Sequence, residues 1–314
     1  MIRALLKAFL RRVFRPALSA DRPIAAQRRL LQRFGALTPV PSGVRYKTID
    51  MGGVRGDLVT GRLQRVKHAI LYLHGGGYCI GSPSAYRILT GTLAKSAGIP
   101  VYVPDYRLAP EHPHPAALED ALSAYRWLIA DGYLPQCIAV VGDSAGAGLT
   151  LALCLALRSE HERLPAALAL ISPWVDLACR GDTLTALADR DPMLSPAGLK
   201  RWARDYLGDL PADHPLCSPI YAELSGLPPM LIQVGSEEIV LSDSTRLAQR
   251  AKQAGVEVEL RRFDGLWHDF QLHVGMLRES RAALKDIATF VRQFVGVSLT
   301  DTGGHAAIRA AKPG

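Results

Sequence analysis

Apolar residues along this chain fall into short unbroken runs, separated by longer stretches in which they recur every three or four positions. The runs Ala69–Leu73, Val101–Val103, Cys137–Val141, Ala167–Ile171, Met230–Val234 and Val256–Leu260 have the length and bounds of buried strands. Helical periodicity covers 84–97, 115–130, 145–158 and 243–254, and a last helix is predicted over Met276–Phe294. Upstream, Val44–Asp50 and Asp57–Leu63 flank the turn Met51-Gly52-Gly53, which predicts a hairpin at one edge. Strand and helix alternating in this way predict an α/β fold: an eight-stranded, mostly parallel sheet with helices on both faces.

One connection breaks the rhythm. Between the sixth and seventh strands the chain is far too long for a simple crossover, and it carries two short helical patterns, Thr183–Ala188 and Pro196–Tyr206. Asp191-Pro192 and Ser195-Pro196 mark breaks within it. The expected organisation is an N-terminal cap arm (1–43), a core (44–180), a helical cap insertion (181–215), the rest of the core (216–298) and a frayed tail (299–314).

Composition narrows the picture. With 314 residues, 48% hydrophobic and 21% charged, the chain can bury a large core, which excludes a disordered protein. No run of eighteen apolar residues offers a membrane-spanning helix. Lys7 interrupts the apolar part of the N-terminus and no small-residue cleavage site follows, so no signal peptide is expected. The five cysteines are an odd number without metal-type pairing and read as reduced thiols of a cytoplasmic protein.

Charge is concentrated. Residues 1–33 hold nine Lys and Arg against one acid, Asp21, which accounts for the whole net charge of +8. Interleaved with Leu5, Leu6, Phe9, Leu10, Val13 and Phe14, these cations predict an amphipathic helix packed on the body with a solvated basic face. Contact with an anionic membrane surface is the alternative. Nucleic-acid binding is not expected, since no aromatic-rich basic stripe or motif accompanies the charge.

The chemistry centres on Gly142-Asp143-Ser144-Ala145-Gly146, which follows the fifth strand and opens a helix. The G-x-S-x-G spacing makes Ser144 a candidate nucleophile on a sharp elbow, where side chains in place of the glycines would collide with neighbouring backbone. The Ala145 N–H, at the positive end of the helix, is a candidate oxyanion donor. A second half of such a hole is offered by His74-Gly75-Gly76-Gly77, directly after the third strand, with the amides of Gly75, Gly76 and Gly77 as candidates. His74 itself is read as a brace for that loop.

A serine of this kind needs a base and an acid later in the chain. His268 follows the eighth strand and is the candidate base, whereas His273 reads as a helix-end residue and His305 falls in the tail. The acid is sought after the seventh strand, in Gly235-Ser236-Glu237-Glu238-Ile239-Val240-Leu241-Ser242-Asp243. Periodicity does not choose between Glu237 and Glu238, and Asp243 fits an N-cap or first-turn acid.

Taken together, these motifs resemble the hormone-sensitive-lipase-like group of α/β-hydrolases, bacterial family IV. The carriers are the two glycine motifs, Tyr106-Arg107-Leu108-Ala109-Pro110-Glu111-His112-Pro113, Pro115 to Asp120, Ser172-Pro173-Trp174-Val175-Asp176-Leu177 and Trp267-His268. The resemblance implies an α/β-hydrolase fold and a carboxylesterase in which Ser144 is nucleophile, His268 base and Glu238 acid, with Asp243 as runner-up. It further implies an oxyanion hole from Ala145 and two of the three glycines, Gly76 and Gly77 preferred. Arg107, Glu111 and Asp120 become scaffold ion pairs. Ala147 departs from the group's usual glycine, and Glu238-Ile239-Val240 from its usual Asp-Pro-Leu.

The expected substrate is a small-molecule ester of short to medium acyl chain, hydrolysed without metal or cofactor. An amidase or deacetylase with the same triad is the alternative, and a ligand-binding receptor on the scaffold a more distant one. A homodimer is a further partner expectation.

Overall fold

The computed structural model describes residues 2–62, 65 and 67–296. Eight strands form one sheet: β1 (Arg45–Asp50), β2 (Arg55–Thr60), β3 (Ala69–Leu73), β4 (Val101–Pro104), β5 (Ile138–Asp143), β6 (Ala167–Ile171), β7 (Met230–Gly235) and β8 (Val258–Phe263). Their order is β1-β2-β4-β3-β5-β6-β7-β8. The β1–β2 and β2–β4 pairs are antiparallel, and every pair from β4–β3 to β8 is parallel.

The helices are α1 (Ile2–Phe9), α2 (Arg15–Ala17), α3 (Ile24–Leu37), α4 (Arg87–Ala97), α5 (Ala116–Ala130), α6 (Ala145–Ser159), α7 (Thr183–Ala186), α8 (Pro196–Leu207), α9 (Leu241–Gln253) and α10 (Arg278–Phe294). Strand side chains alternate between two buried layers, as a period of two requires. Ile70 and Tyr72 pack into the layer of α4 and α10, while Ala69, Leu71 and Leu73 pack toward α5, α6 and α9. Burial on both faces explains why β3, β5, β6 and β7 read as unbroken apolar runs.

Some boundaries differ from the sequence expectation for local reasons. Strand β8 begins at Val258 because Gly255, at φ +79°, closes α9, and the Val256 N–H still donates to the Ala251 carbonyl at 2.9 Å. Residues 83–86 form a 3₁₀ turn before α4, and α7 stops at Ala186. Strand β2 ends at Thr60; the predicted end at Leu63 and the tail 299–314 lie outside the described residues.

The cap is built from both ends of the expected lid. The N-terminal helix runs from α1 through a π-helical turn (Leu10–Phe14) into α2, and its buried Leu6, Leu10 and Phe14 join the main core. Arg11 and Arg15 reach across to the excursion after β6. The Arg11 guanidinium donates to the carbonyls of Asp189 and Arg190 at 2.7 and 3.0 Å, and Arg15 to those of Ala188 and Asp191 at 2.7 and 3.1 Å. From α8, the Trp202 indole N–H donates to Gln27 of α3 at 3.1 Å. Arm and excursion are therefore one packed layer over the ends of the parallel strands. No helix among the described residues is long and apolar enough to cross a membrane.

Candidate active site

Strand β5 ends in a turn that the chain sustains at visible conformational cost. Ser144 has φ +51° and ψ −119°, outside the regions an L-residue prefers, and sits between β5 and α6. The flanking glycines are sterically required. A Cβ on Gly142 would lie 2.4 Å from the Gly146 carbonyl oxygen, and one on Gly146 would lie 2.0 Å from that of Leu73. The elbow is pinned by the Ser144 N–H, which donates to the Ile171 carbonyl at 2.8 Å, while the Ser144 carbonyl accepts from Trp174 at 3.1 Å.

The glycine loop after β3 lies against this elbow. Gly76 and Gly77 take φ +110° and +60°, and their N–H groups, like that of Ala145, have no hydrogen-bond partner among the described residues. The Gly75 N–H is different: it donates to Asp143 Oδ1 at 2.9 Å. Of the three glycine amides expected from the sequence, that of Gly75 is thus taken up in holding the loop to the elbow. Asp143 also accepts from the Tyr72 hydroxyl at 2.6 Å, and burial, then the nearby Asp269, pushes its carboxyl well above the ordinary range.

His74 is a brace. Its ring stacks on Tyr106 at 4.2 Å and Tyr86 at 5.5 Å, Nδ1 lies 2.8 Å from the Gly75 carbonyl, and burial lowers its pKa to about 4. A neutral, immobile imidazole suits a loop-holding role. Its carbonyl accepts from the Tyr106 hydroxyl at 2.6 Å.

His268 and Glu238 arrive from the loops after β8 and β7. His268 Nδ1 stands 2.9 Å from Glu238 Oε2, and both residues are buried. The other carboxylate oxygen of Glu238 accepts from the Ser172 hydroxyl at 3.0 Å and from the Gly235 N–H. Burial raises the Glu238 pKa even though His268 draws it down. His268 Nε2 lies 3.2 Å from the carboxylate of Asp269, a residue in the left-handed region at φ +51°. Burial acts to lower the His268 pKa, but the carboxylates of Asp269 and Glu238 outweigh it and hold it well above the usual histidine value.

The rival acids are placed elsewhere. Asp243, in the first turn of α9, turns its carboxylate to the backbone amides of Val175 and Asp176, both at 3.0 Å, and burial raises its pKa to about 7. Glu237 faces outward to Lys7 and to Arg190. His273 is half-buried, with its pKa lowered by desolvation to about 4, and it lies against Trp267.

Arg107 grips Asp120 through its backbone N–H at 2.7 Å and its guanidinium at 2.8 Å, bracing the loop before α5. Glu111 pairs with Arg28. Arg28 is a residue that the sequence reading passed over: from α3 it donates to the carbonyls of Cys79 and Ala109, each at 2.8 Å, fastening the arm to the glycine loop. Only its place among the arm's cations hinted at it. Asp143 and Asp269 were likewise missed, although each adjoins a residue that was singled out.

A buried serine on a strained strand-to-helix elbow, a glycine loop whose Gly76 and Gly77 amides have no partner among the described residues, and a carboxylate-paired histidine at the strand ends make the arrangement of a candidate nucleophilic hydrolase site. Comparison with known proteins agrees. A model of the alpha/beta hydrolase fold family matches residues 70–272. An acetyl-hydrolase of Streptomyces hygroscopicus is 44% identical over 230 residues, covering 73% of this chain and 77% of its own. Among solved structures, an esterase from the bacterial hormone-sensitive lipase family superposes with a TM-score of 0.90 at 38% identity, covering 94% of this chain and 98% of its own. EstE5, in a crystal soaked with p-nitrophenyl butyrate, gives 0.90 at 36% identity, with 94% and 99% covered. The chain belongs to the hormone-sensitive-lipase-like carboxylic ester hydrolases of the α/β-hydrolase fold family. The receptor alternative gives way to an enzyme.

Proposed function

We propose that this esterase hydrolyses short- to medium-chain carboxylic esters through Ser144, His268 and Glu238, with an acyl-enzyme intermediate. The observation that carries the reading is the 2.9 Å contact between His268 Nδ1 and Glu238 Oε2, which leaves Nε2 as the nitrogen for proton transfer in this mechanism. Ser144 Oγ gives its proton to His268 Nε2 as it attacks the ester carbonyl, and the tetrahedral oxyanion is met by the amides of Gly76, Gly77 and Ala145. The imidazolium then protonates the leaving alkoxide. Water, deprotonated by the same nitrogen, attacks the acyl-enzyme; the Oγ–acyl bond then breaks, the imidazolium returns its proton to Ser144 Oγ and the acid is released.

The acyl-length reading rests on Trp202. Its indole packs against the glycine loop, where a Cβ on Gly77 would meet a ring carbon at 2.5 Å, and in this reading it bounds the acyl side of the site. An acetyl-hydrolase relative and a neighbour soaked with a butyrate ester fit the same range. Initial rates on p-nitrophenyl esters of rising acyl length, beside the matching anilides, test both the length preference and the amidase alternative. The homodimer remains a proposal, tested by light scattering.

A second reading concerns the arm. Arg3, Lys7, Arg11 and Arg15 recur every four residues beside the buried Leu6, Leu10 and Phe14, and all four bind the body. The opposite face presents Ile2, Leu5, Phe9 and Val13, which are 54%, 64%, 40% and 42% exposed. Arg12 on the same helix and Arg29 and Arg33 on α3 are also exposed. The solvent face of the arm thus combines apolar side chains with exposed cations, among them the Arg12 that the expected basic face would present. This face lies on an anionic lipid surface in the proposed working state, its cations matching the lipid charge.

A further inference from the structure

Two histidines and a cysteine that have no part in the proposed triad meet where the cap excursion returns to the core. His114 belongs to the loop leading into α5, whereas His214 and Cys217 follow α8. Their ligand atoms all lie within 4.8 Å of one another. The two imidazole centroids are 5.5 Å apart, with the rings inclined at 57°. Two imidazoles on one tetrahedral ion, with metal–nitrogen bonds of about 2.0–2.1 Å, place their centroids about 5 Å apart. The rings therefore already stand at nearly the spacing of a shared ion. Closing the donor atoms from 4.8 Å to the roughly 3.3–3.7 Å of a bound set asks for about 1 Å of side-chain movement.

The backbone holds the three residues in place. The His114 N–H donates to the Tyr206 carbonyl at 2.8 Å, and the N–H groups of Cys217 and Ser218 donate to the His214 carbonyl at 2.9 and 2.8 Å. His114 Nδ1 faces the Tyr206 hydroxyl at 3.3 Å, a contact that orients the ring and leaves Nε2 for a ligand. His214 Nδ1 receives a long 3.3 Å hydrogen bond from the Leu216 N–H, weak enough to yield. Both rings are half-buried, which leaves an entry path, and Cys217 is buried behind them.

We propose that His114, His214 and Cys217 form a three-ligand site for a transition metal of the zinc(II) type, with a fourth position open to water, that clips the cap excursion to the core. Two imidazoles and a thiolate select zinc or a similarly soft ion over magnesium or calcium. Binding is balanced as Zn²⁺ displacing one proton: the Cys217 S–H bond breaks, the proton passes to solvent, an S–Zn bond forms, and no electron is transferred. The site has reach toward the chemistry, because Tyr206, beside His114, stacks on Tyr78 at 3.8 Å, and Tyr78 directly follows Gly77. Sequence spacing concealed the cluster, since His114 is far from the other two in the chain.

Cobalt(II) is the probe, added to the full chain after chelator treatment. The expected result is binding of about one equivalent with a near-ultraviolet sulfur-to-cobalt band, displaced by zinc, and a zinc-dependent rise in melting temperature. In Cys217→Ser the band disappears, and in His214→Gln the affinity falls at least tenfold, the usual loss for a ligand environment disturbed. Because either variant can misfold, circular dichroism and ester hydrolysis, which uses none of the three residues, check that each is native. A sulfur band that survives Cys217→Ser, or cobalt binding unchanged in both native variants, overturns the proposal.

Discussion

His268 Nε2, the nitrogen that takes the proton of Ser144 in the proposed mechanism, lies 3.2 Å from the carboxylate of Asp269, the next residue along the chain. The ring is thus held between two carboxylates, Glu238 on Nδ1 and Asp269 on Nε2. Both favour the imidazolium, and His268 titrates well above the usual value despite its burial. A base must be neutral to accept a proton, so activity is present above that raised pKa and lost as pH falls through it. Removing one carboxylate lowers the pKa. Asp269→Asn is expected to move the acid limb of the kcat/KM profile to lower pH, and an unmoved limb contradicts the assignment of Asp269.

The two candidate acids separate by what their carboxylates hold. Glu238→Gln removes the charge that fixes the His268 tautomer and is expected to cost roughly 10³- to 10⁴-fold in kcat. Asp243→Asn disturbs the anchoring of the Val175 and Asp176 amides, so it is expected to keep kcat within a few fold and to lower stability by about 1–3 kcal/mol. Steady-state kinetics and denaturant melts on both variants distinguish them; the reverse pattern contradicts the pairing.

Trp202 covers the glycine loop from α8. Truncating it opens space over Gly77, at a stability cost of about 3–5 kcal/mol for a buried indole. Trp202→Ala is expected to raise kcat/KM for octanoate relative to acetate esters by about tenfold or more, since each added buried methylene is worth about 0.8 kcal/mol. A chain-length profile unchanged from wild type, in a folded variant, contradicts the role of Trp202 as the limit.

The apolar ridge on the N-terminal helix is separable from the latch beneath it. Replacing Leu5 and Phe9 by Ser leaves Arg3, Lys7, Arg11 and Arg15 in place and is expected to abolish sedimentation with phosphatidylglycerol vesicles while hydrolysis of soluble esters continues. Equal sedimentation of wild type and variant contradicts a lipid role.

Much of this molecule was legible because its signals are local. Strands buried on both faces leave apolar runs, and the elbow leaves Gly142 and Gly146 at a spacing that steric contact alone demands. The pairing of His268 with Glu238 was reached through chain order and family resemblance, since periodicity leaves two adjacent glutamates equal. What escaped was set by tertiary contact. The Gly75 amide is claimed by Asp143, Arg28 crosses from the arm to the loop, and His114 meets Cys217 only after the cap has folded back. Charge along the sequence likewise does not tell which of the arm's cations bind the body, as Arg3, Lys7, Arg11 and Arg15 do.

The central claim is that Ser144, activated by His268 and Glu238, carries the acyl group. A fluorophosphonate, which loses fluoride to an activated serine, tests it by intact-mass and peptide-level mass spectrometry. The account predicts one phosphonyl adduct per wild-type chain, located on Ser144, absent in Ser144→Ala and formed far more slowly in His268→Ala and Glu238→Gln. An adduct on another residue, or ester hydrolysis that persists in Ser144→Ala, contradicts it.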